Sequence, residues 1–143
     1  MARIHIAIFS LLAIVGCTAH NPAAPSDLVS VEALVRMLNH VGARASVAEQ
    51  MPRDAFPFFS VNAHRVLVDG ETVHVFLYAD PAGASADAAR IDPSGQPIGT
   101  QVTWVNPPRF YARGQLIVLY VGRNRGVSSM LETVLGAPFA GAR

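Results

Sequence analysis

The chain contains no lysine: all 11 of its basic residues are arginine, set against ten acidic residues. This near-neutrality denies it the whole-molecule positive field on which nucleic-acid binding draws, so no nucleic-acid partner is expected. Cys17 is its one cysteine, so no disulfide can form within the chain and no multi-cysteine metal site can be built. Charged residues make up only 15% of the sequence. Beyond the N-terminus no apolar run approaches the ~20 residues that cross a bilayer. Catalytic signatures are missing too. There is no G-x-S-x-G elbow, no G-x-G-x-x-G or G-K-[ST] phosphate loop, and no histidine pair at i,i+4 spacing. Asp69, Asp80 and Asp92 occupy turn or cap positions, Asp54 and Asp87 stand apart, and Ser128 and Ser129 read as exposed or capping hydroxyls. No cofactor and no metal are expected.

What is present begins at the N-terminus. Met1-Ala2-Arg3 supplies a positive start, and residues 4–15 are apolar except for His5 and Ser10. That run suits a secretory signal and is too short for a membrane span. Ile14-Val15-Gly16-Cys17 then resembles the lipobox of bacterial lipoprotein precursors. The resemblance implies that residues 1–16 are a signal peptide, that Cys17 is the lipidation site, and that the membrane is a partner through that lipid. It places the protein in the cell envelope. Thr18 stands where an aspartate would resemble an inner-membrane retention signal, so the outer membrane is favoured where the source has two. Where it has one, the outer face of the plasma membrane is expected. Residues 17–27, rich in Ala, Pro, Asn and Ser, read as anchor and tether. Residues 28–143 read as a single α+β domain, close to the usual ~100–150 residues.

Within that domain Ser30 is placed as an N-cap, with Val29 and Leu34 as a hydrophobic staple. Val31, Leu34, Val35, Leu38 and Val41 share one helical face, which Gly42 ends. A short strand follows near residues 45–48. Asp69-Gly70 favours a two-residue type I′ turn between strands at 58–68 and 71–79. Pairing about it sets Val66 opposite Val73, His64 opposite Val75 and Arg65 opposite His74. His64 and His74 therefore fall on opposite faces and cannot share a metal; His20 lies in the tether, and His40 ends the first helix. Asp80-Pro81 opens a small, Ala-rich helix. A strand near 101–105 precedes Asn106-Pro107-Pro108. A second hairpin, 109–112 with 115–121, turns at Arg113-Gly114, and the unbroken apolar run from Leu116 to Val121 predicts a strand covered on both faces. Asn124 caps a last helix bearing Val127, Met130, Leu131, Val134 and Leu135 in one stripe. The order is α-β-ββ-α-β-ββ-α: a largely antiparallel sheet with helices packed on one face. Two ββα units in succession have the look of a pseudo-repeat. From Val75 to Gly136 the chain also resembles small bacterial exported or lipoprotein domains, through Val75-Phe76-Leu77-Tyr78-Ala79-Asp80, Trp104-Val105-Asn106-Pro107-Pro108 and Leu116 to Gly122. That resemblance implies a shared fold and compartment and carries no catalytic residue across.

One constellation invites a functional reading. Arg109, Tyr111, Leu116, Val118 and Tyr120 share a face of the second hairpin, with Phe110, Ile117, Leu119 and Val121 on the other. If helices cover the second set, the first is an open binding patch rimmed by arginine. The alternative packs both faces and leaves the arginines as edge and turn gatekeepers. Three functions follow in order. The first is a membrane-anchored, non-catalytic envelope lipoprotein that binds another envelope component, a protein among the candidates. The second is a small-ligand or lipid carrier with a pocket lined by Phe56, Phe58, Phe76 and Met130. The third, least favoured, is a small hydrolase assembled only in space. Any cleft is expected at residues 51–57 or 93–99.

Overall fold

The structure, a computed structural model, describes residues 28–142. The signal segment, Cys17 and the tether therefore lie outside the described residues. Helix α1 (Val31–His40) starts at Ser30, whose hydroxyl accepts from the Ala33 N–H at 3.0 Å. The staple takes a different form: Leu34 is buried, but Val29 is 60% exposed and Leu28 is the residue that enters the core. Strand β1 (Ala45–Met51) and a short 3₁₀ turn (Arg53–Ala55) lead into β2 (Ala63–Val68) and β3 (Glu71–Leu77). At the β2–β3 turn Asp69 and Gly70 both take positive φ, 49° and 83°, as a type I′ turn demands. The pairing is the expected one, with Val66 opposite Val73 and Arg65 opposite His74.

Helix α2 (Pro81–Ala88) carries Pro81 in its first turn, and its cap, Asp80, accepts from the Gly83 N–H. Strands β4 (Pro108–Arg113) and β5 (Leu116–Val121) form the second hairpin. Helix α3 (Arg125–Leu135) is capped by Asn124, and a two-residue strand, β6 (Ala140–Gly141), follows. All six strands form one antiparallel sheet in the order β1-β2-β3-β5-β4-β6. The α+β class and the element order thus stand, with two differences. No strand forms at residues 101–105, and β6 adds a short edge that a two-residue span made invisible in the sequence.

The sheet sits between two apolar layers. On one side α1 and α3 bury Leu34, Leu38, Val127, Leu131 and Val134 against Val66, Val73, Val75, Tyr111, Val118 and Tyr120. On the other side α2 and an aromatic loop layer, Phe58, Phe59 and Ala84, cover Phe76, Phe110, Ile117 and Leu119. The expectation that helices share one face therefore holds for α1 and α3 and is corrected for α2. The reason is residue size. The small Ala84 face lets α2 lie low beside a layer already built from phenylalanines. The same placement bears on the pseudo-repeat. Strand order relates the hairpins by a two-fold axis normal to the sheet between β3 and β5. That operation would put α2 and α3 on the same side, and they lie on opposite sides.

Candidate functional site

Arg109, Tyr111, Leu116, Val118 and Tyr120 do share a face, but that face is the main core. Tyr111, Leu116, Val118 and Tyr120 are each fully buried under α1 and α3. The open patch is thereby corrected, and the alternative, in which both faces of the hairpin are packed, is the one that forms. Two amphipathic helices each need an apolar sheet face, and this is the face they take. The polar atoms around it act as ties. Arg109 donates to the Gly122 carbonyl at 3.0 Å, and the Arg113 guanidinium donates to the Val134 carbonyl in the last turn of α3. Tyr120 Oη accepts from the Asn124 N–H at 3.0 Å and donates to Glu71 Oε2 at 3.3 Å, binding β5 to the start of α3 and to β3. Tyr111 Oη is buried with no hydrogen-bond partner among the described residues. Burial, reinforced by the Glu132 charge, pushes the Tyr111 hydroxyl up to about 12.

The proposed carrier pocket is also redistributed. Phe56 and Phe58 belong to the aromatic layer with Phe76 beneath them, whereas Met130 packs on the opposite side of the sheet. These four residues cannot line one cavity.

An open groove lies on the aromatic side of the sheet. Ala55, Phe56, Pro57 and Phe58 line one side of the groove, residues 100–105 line the other, and Val121 also lines it. Its volume is about 550 Å³, within the ~300–1,000 Å³ of ligand-binding clefts. One wall was expected at residues 51–57. The other is formed by residues 100–105 rather than 93–99. The 93–99 loop is instead tied down: the Asp92 carboxylate accepts from Ser94 N, Ser94 Oγ and Gln96 N, and Gly141 N donates to the Pro93 carbonyl.

Aromatic contacts fix both walls. Phe56 lies 4.6 Å from the His74 ring and meets Phe76 edge-on at 5.3 Å. Trp104 packs at 5.9 Å on Phe110 and 6.3 Å from Phe58, and its indole N–H donates to the Gly95 carbonyl at 3.0 Å. It is both lid and wall. Beneath Phe56, His74 is held below its ordinary range by burial and then by the neighbouring Arg65 charge, so its ring is neutral near pH 7. Arg65 in turn pairs with Glu49 at 2.9 Å. Among the described residues that line the groove none is charged, and Thr100, Gln101 and Thr103 supply hydroxyl and amide groups.

The buried polar cluster lies elsewhere. Asp87, 5% exposed, accepts from Ser60 N (2.6 Å), Ser60 Oγ (2.7 Å) and Tyr78 Oη (2.9 Å), with Arg90 at 3.5 Å. Burial raises its proton affinity, but the Ser60 and Tyr78 donors outweigh burial and hold the carboxyl below its usual range. Burial and the adjacent carboxylate push the Tyr78 hydroxyl up. This cluster clamps the loop after the 3₁₀ turn onto α2, and so sets the position of Phe56 and Phe58. Sequence reasoning saw Asp87 as isolated because its partners stand 27 and 9 residues away. Among the described residues no three of His, Cys, Asp and Glu converge as a metal site, and no helix is long and apolar enough to cross a membrane. Comparison with protein-family models, with curated proteins and with solved structures gives no match.

Proposed function

We propose that this chain is a lipid-anchored, non-catalytic binding domain of the bacterial cell envelope, and that its working surface is the aromatic groove rather than the Tyr111–Tyr120 face. The anchor rests on the lipobox-like Ile14-Val15-Gly16-Cys17, with Thr18 favouring an outer membrane where there are two. The observation that carries the binding role is the groove itself. It is a hollow lined by Phe56, Phe58, Trp104 and Val105, the last 86% exposed, with no charged residue among its described lining, and a cleft of this size and mainly apolar lining is the usual form of a binding site. A non-catalytic role agrees with the chemistry nearby. The buried carboxylate, Asp87, is already occupied by three donors at 2.6–2.9 Å, and none of the described residues lining the groove is titratable. We take the partner to be a polypeptide, because residues 101–105 make no backbone–backbone hydrogen bond among the described residues, and an unpaired extended main chain is a template for another chain.

The test places a photo-crosslinking amino acid at Val105 in the full chain in its native membrane, with Arg36 on the outer face of α1 as the control position. Crosslinking to protein from Val105 and not from Arg36 supports the reading. Equal or absent crosslinking at Val105 removes it, and crosslinking to lipid alone moves the groove to the carrier function.

A further inference from the structure

The wall of the groove at residues 101–105 has the side-chain pattern of a strand without a strand's partners. Val102 and Trp104 are half-buried and turned inward, and Gln101, Thr103 and Val105 are exposed, the alternation of period two that a half-buried strand shows. Yet among the described residues no backbone hydrogen bond reaches any residue from 101 to 105. The Gln96 side-chain amide, oriented by its neighbours to donate to the Val102 carbonyl at 3.1 Å, is the one polar contact on that stretch of main chain. The groove runs along this segment, lined by every residue of it.

We propose that residues 101–105 pair, antiparallel and about a two-fold axis at Thr103, with the same segment of a second copy of this chain. The proposal rests on the groove being the binding surface and names what occupies it. A free strand edge is a template for another strand, and proteins that avoid such pairing blunt their edges with charge, bulges or short length. The sheet of this protein is blunted at both ends. Strand β1 carries a bulge between Val47 and Glu49 and the Glu49–Arg65 ion pair, and β6 is two residues long. The 101–105 segment has no such guard: from Pro93 to Pro108 there is not one charged residue.

That absence also selects the occupant. A two-fold contact sets a surface against itself, so any charge on it near the axis meets its like. An uncharged segment meets none. Only registers that set inward residues opposite inward residues keep Val102 and Trp104 on the apolar side. Among these, the register centred on Thr103 gives the longest overlap. It places Gln101 opposite the second copy's Val105, Val102 opposite its Trp104, and Thr103 opposite its own counterpart. Aromatic with β-branched and Thr with Thr are favourable cross-strand pairs, and the register covers Val105, which is 86% exposed in the single chain.

Disulfide trapping of the full-length chain in its native membrane tests the register. In the Thr103→Cys chain the two substituted positions face each other at Cα separations of roughly 4.5–5.5 Å, inside the roughly 4.4–6.8 Å that a disulfide bridges. In the Gln101→Cys chain they stand four residues out of register, about 14 Å apart, beyond that reach. The unsubstituted chain, whose cysteine is Cys17, sets the background. Under mild oxidation, covalent dimer from Thr103→Cys should exceed both by roughly ten-fold, because only its register permits the bond. Co-expressed Gln101→Cys and Val105→Cys chains should form the mixed dimer.

Thr103→Cys dimer no higher than that from Gln101→Cys overturns the proposal. The Val105 photo-crosslinking separates the two ways of failing. Crosslinks to a different envelope protein, with Thr103→Cys at background, discard the second copy and leave the binding function standing. Silence in both experiments discards the two together.

Discussion

Replacing Asp87 with alanine removes the acceptor that holds the aromatic wall of the groove. The Asp87 carboxylate takes three short hydrogen bonds, at 2.6, 2.7 and 2.9 Å. Ser60 is exposed, so its donors turn to water when the carboxylate is gone. Tyr78 is only 4% exposed, and its hydroxyl is left unsatisfied. An orphaned buried donor costs about 1–3 kcal/mol, and each hydrogen bond lost to a charged acceptor costs about 1.5–3 kcal/mol where water does not replace it. With only the Tyr78 bond uncompensated, a net loss of about 2 kcal/mol follows, a sizeable share of the ~5–15 kcal/mol that stabilises a typical domain. Urea unfolding followed by Trp104 fluorescence and by circular dichroism measures it.

Tyr78→Phe sharpens the test, because it removes the group that Asp87→Ala orphans. In that background Asp87→Ala should cost about 1–2 kcal/mol less, the coupling expected between contacting residues. The acid side of the stability curve is a further check. The folded carboxyl is held below its ordinary range, so the stability it confers is present above the unfolded aspartate pKa and is lost as pH falls through the folded value. Asp87→Ala should flatten that acid limb. A loss under about 1 kcal/mol, with no coupling to Tyr78, would show that the cluster does not hold the fold together.

Other substitutions probe the remaining layers. Tyr111→Phe deletes a buried hydroxyl that makes no hydrogen bond among the described residues and should leave stability unchanged or raise it by up to about 1 kcal/mol. Tyr120→Phe, which breaks the bonds to Asn124 and Glu71, should cost about 0.5–1.5 kcal/mol; thermal melts of the pair read the contrast, and equal losses would contradict it. At Gly122 an added Cβ runs into the Tyr120 ring and hydroxyl, so Gly122→Ala should destabilise by about 1–3 kcal/mol, as overpacking does; a silent substitution would mean that the ring moves freely. His74, held below its ordinary value of 6.5, takes up its proton in the unfolded chain first. Stability should therefore fall as pH drops from above 6.5 toward the folded pKa. His74→Phe should remove that slope in a pH series of melting curves, and an unchanged slope would assign it to another group.

Much of this architecture was legible because it is local. The caps at Ser30, Asp80 and Asn124, the Asp69-Gly70 turn and its register, and the doubly buried run from Leu116 to Val121 follow from residues adjacent in sequence. Three features were not. The side of the sheet each helix takes depends on which apolar face competes best for it, and α2, whose buried face is Ala84 and Asp87, carries almost no periodic apolar signal. The fate of Tyr111 and Tyr120 turned on that same choice. Residues 101–105 have the alternation of a strand, but the ladder requires a neighbour, and the chain supplies none among its described residues. The groove was half visible, through the proline-broken stretch at 51–57, because its second wall is the strand that did not pair. Ser60, Tyr78 and Asp87 meet only through tertiary folding.

Hydrogen exchange read by mass spectrometry, on the full chain in its native membrane and after dispersal in detergent, tests most directly whether the groove wall works by taking a polypeptide partner. The amides of residues 101–105 should be protected in the membrane and exchange rapidly after dispersal, while those of β4 and β5 stay protected in both. Rapid exchange of residues 101–105 in both states would contradict the account.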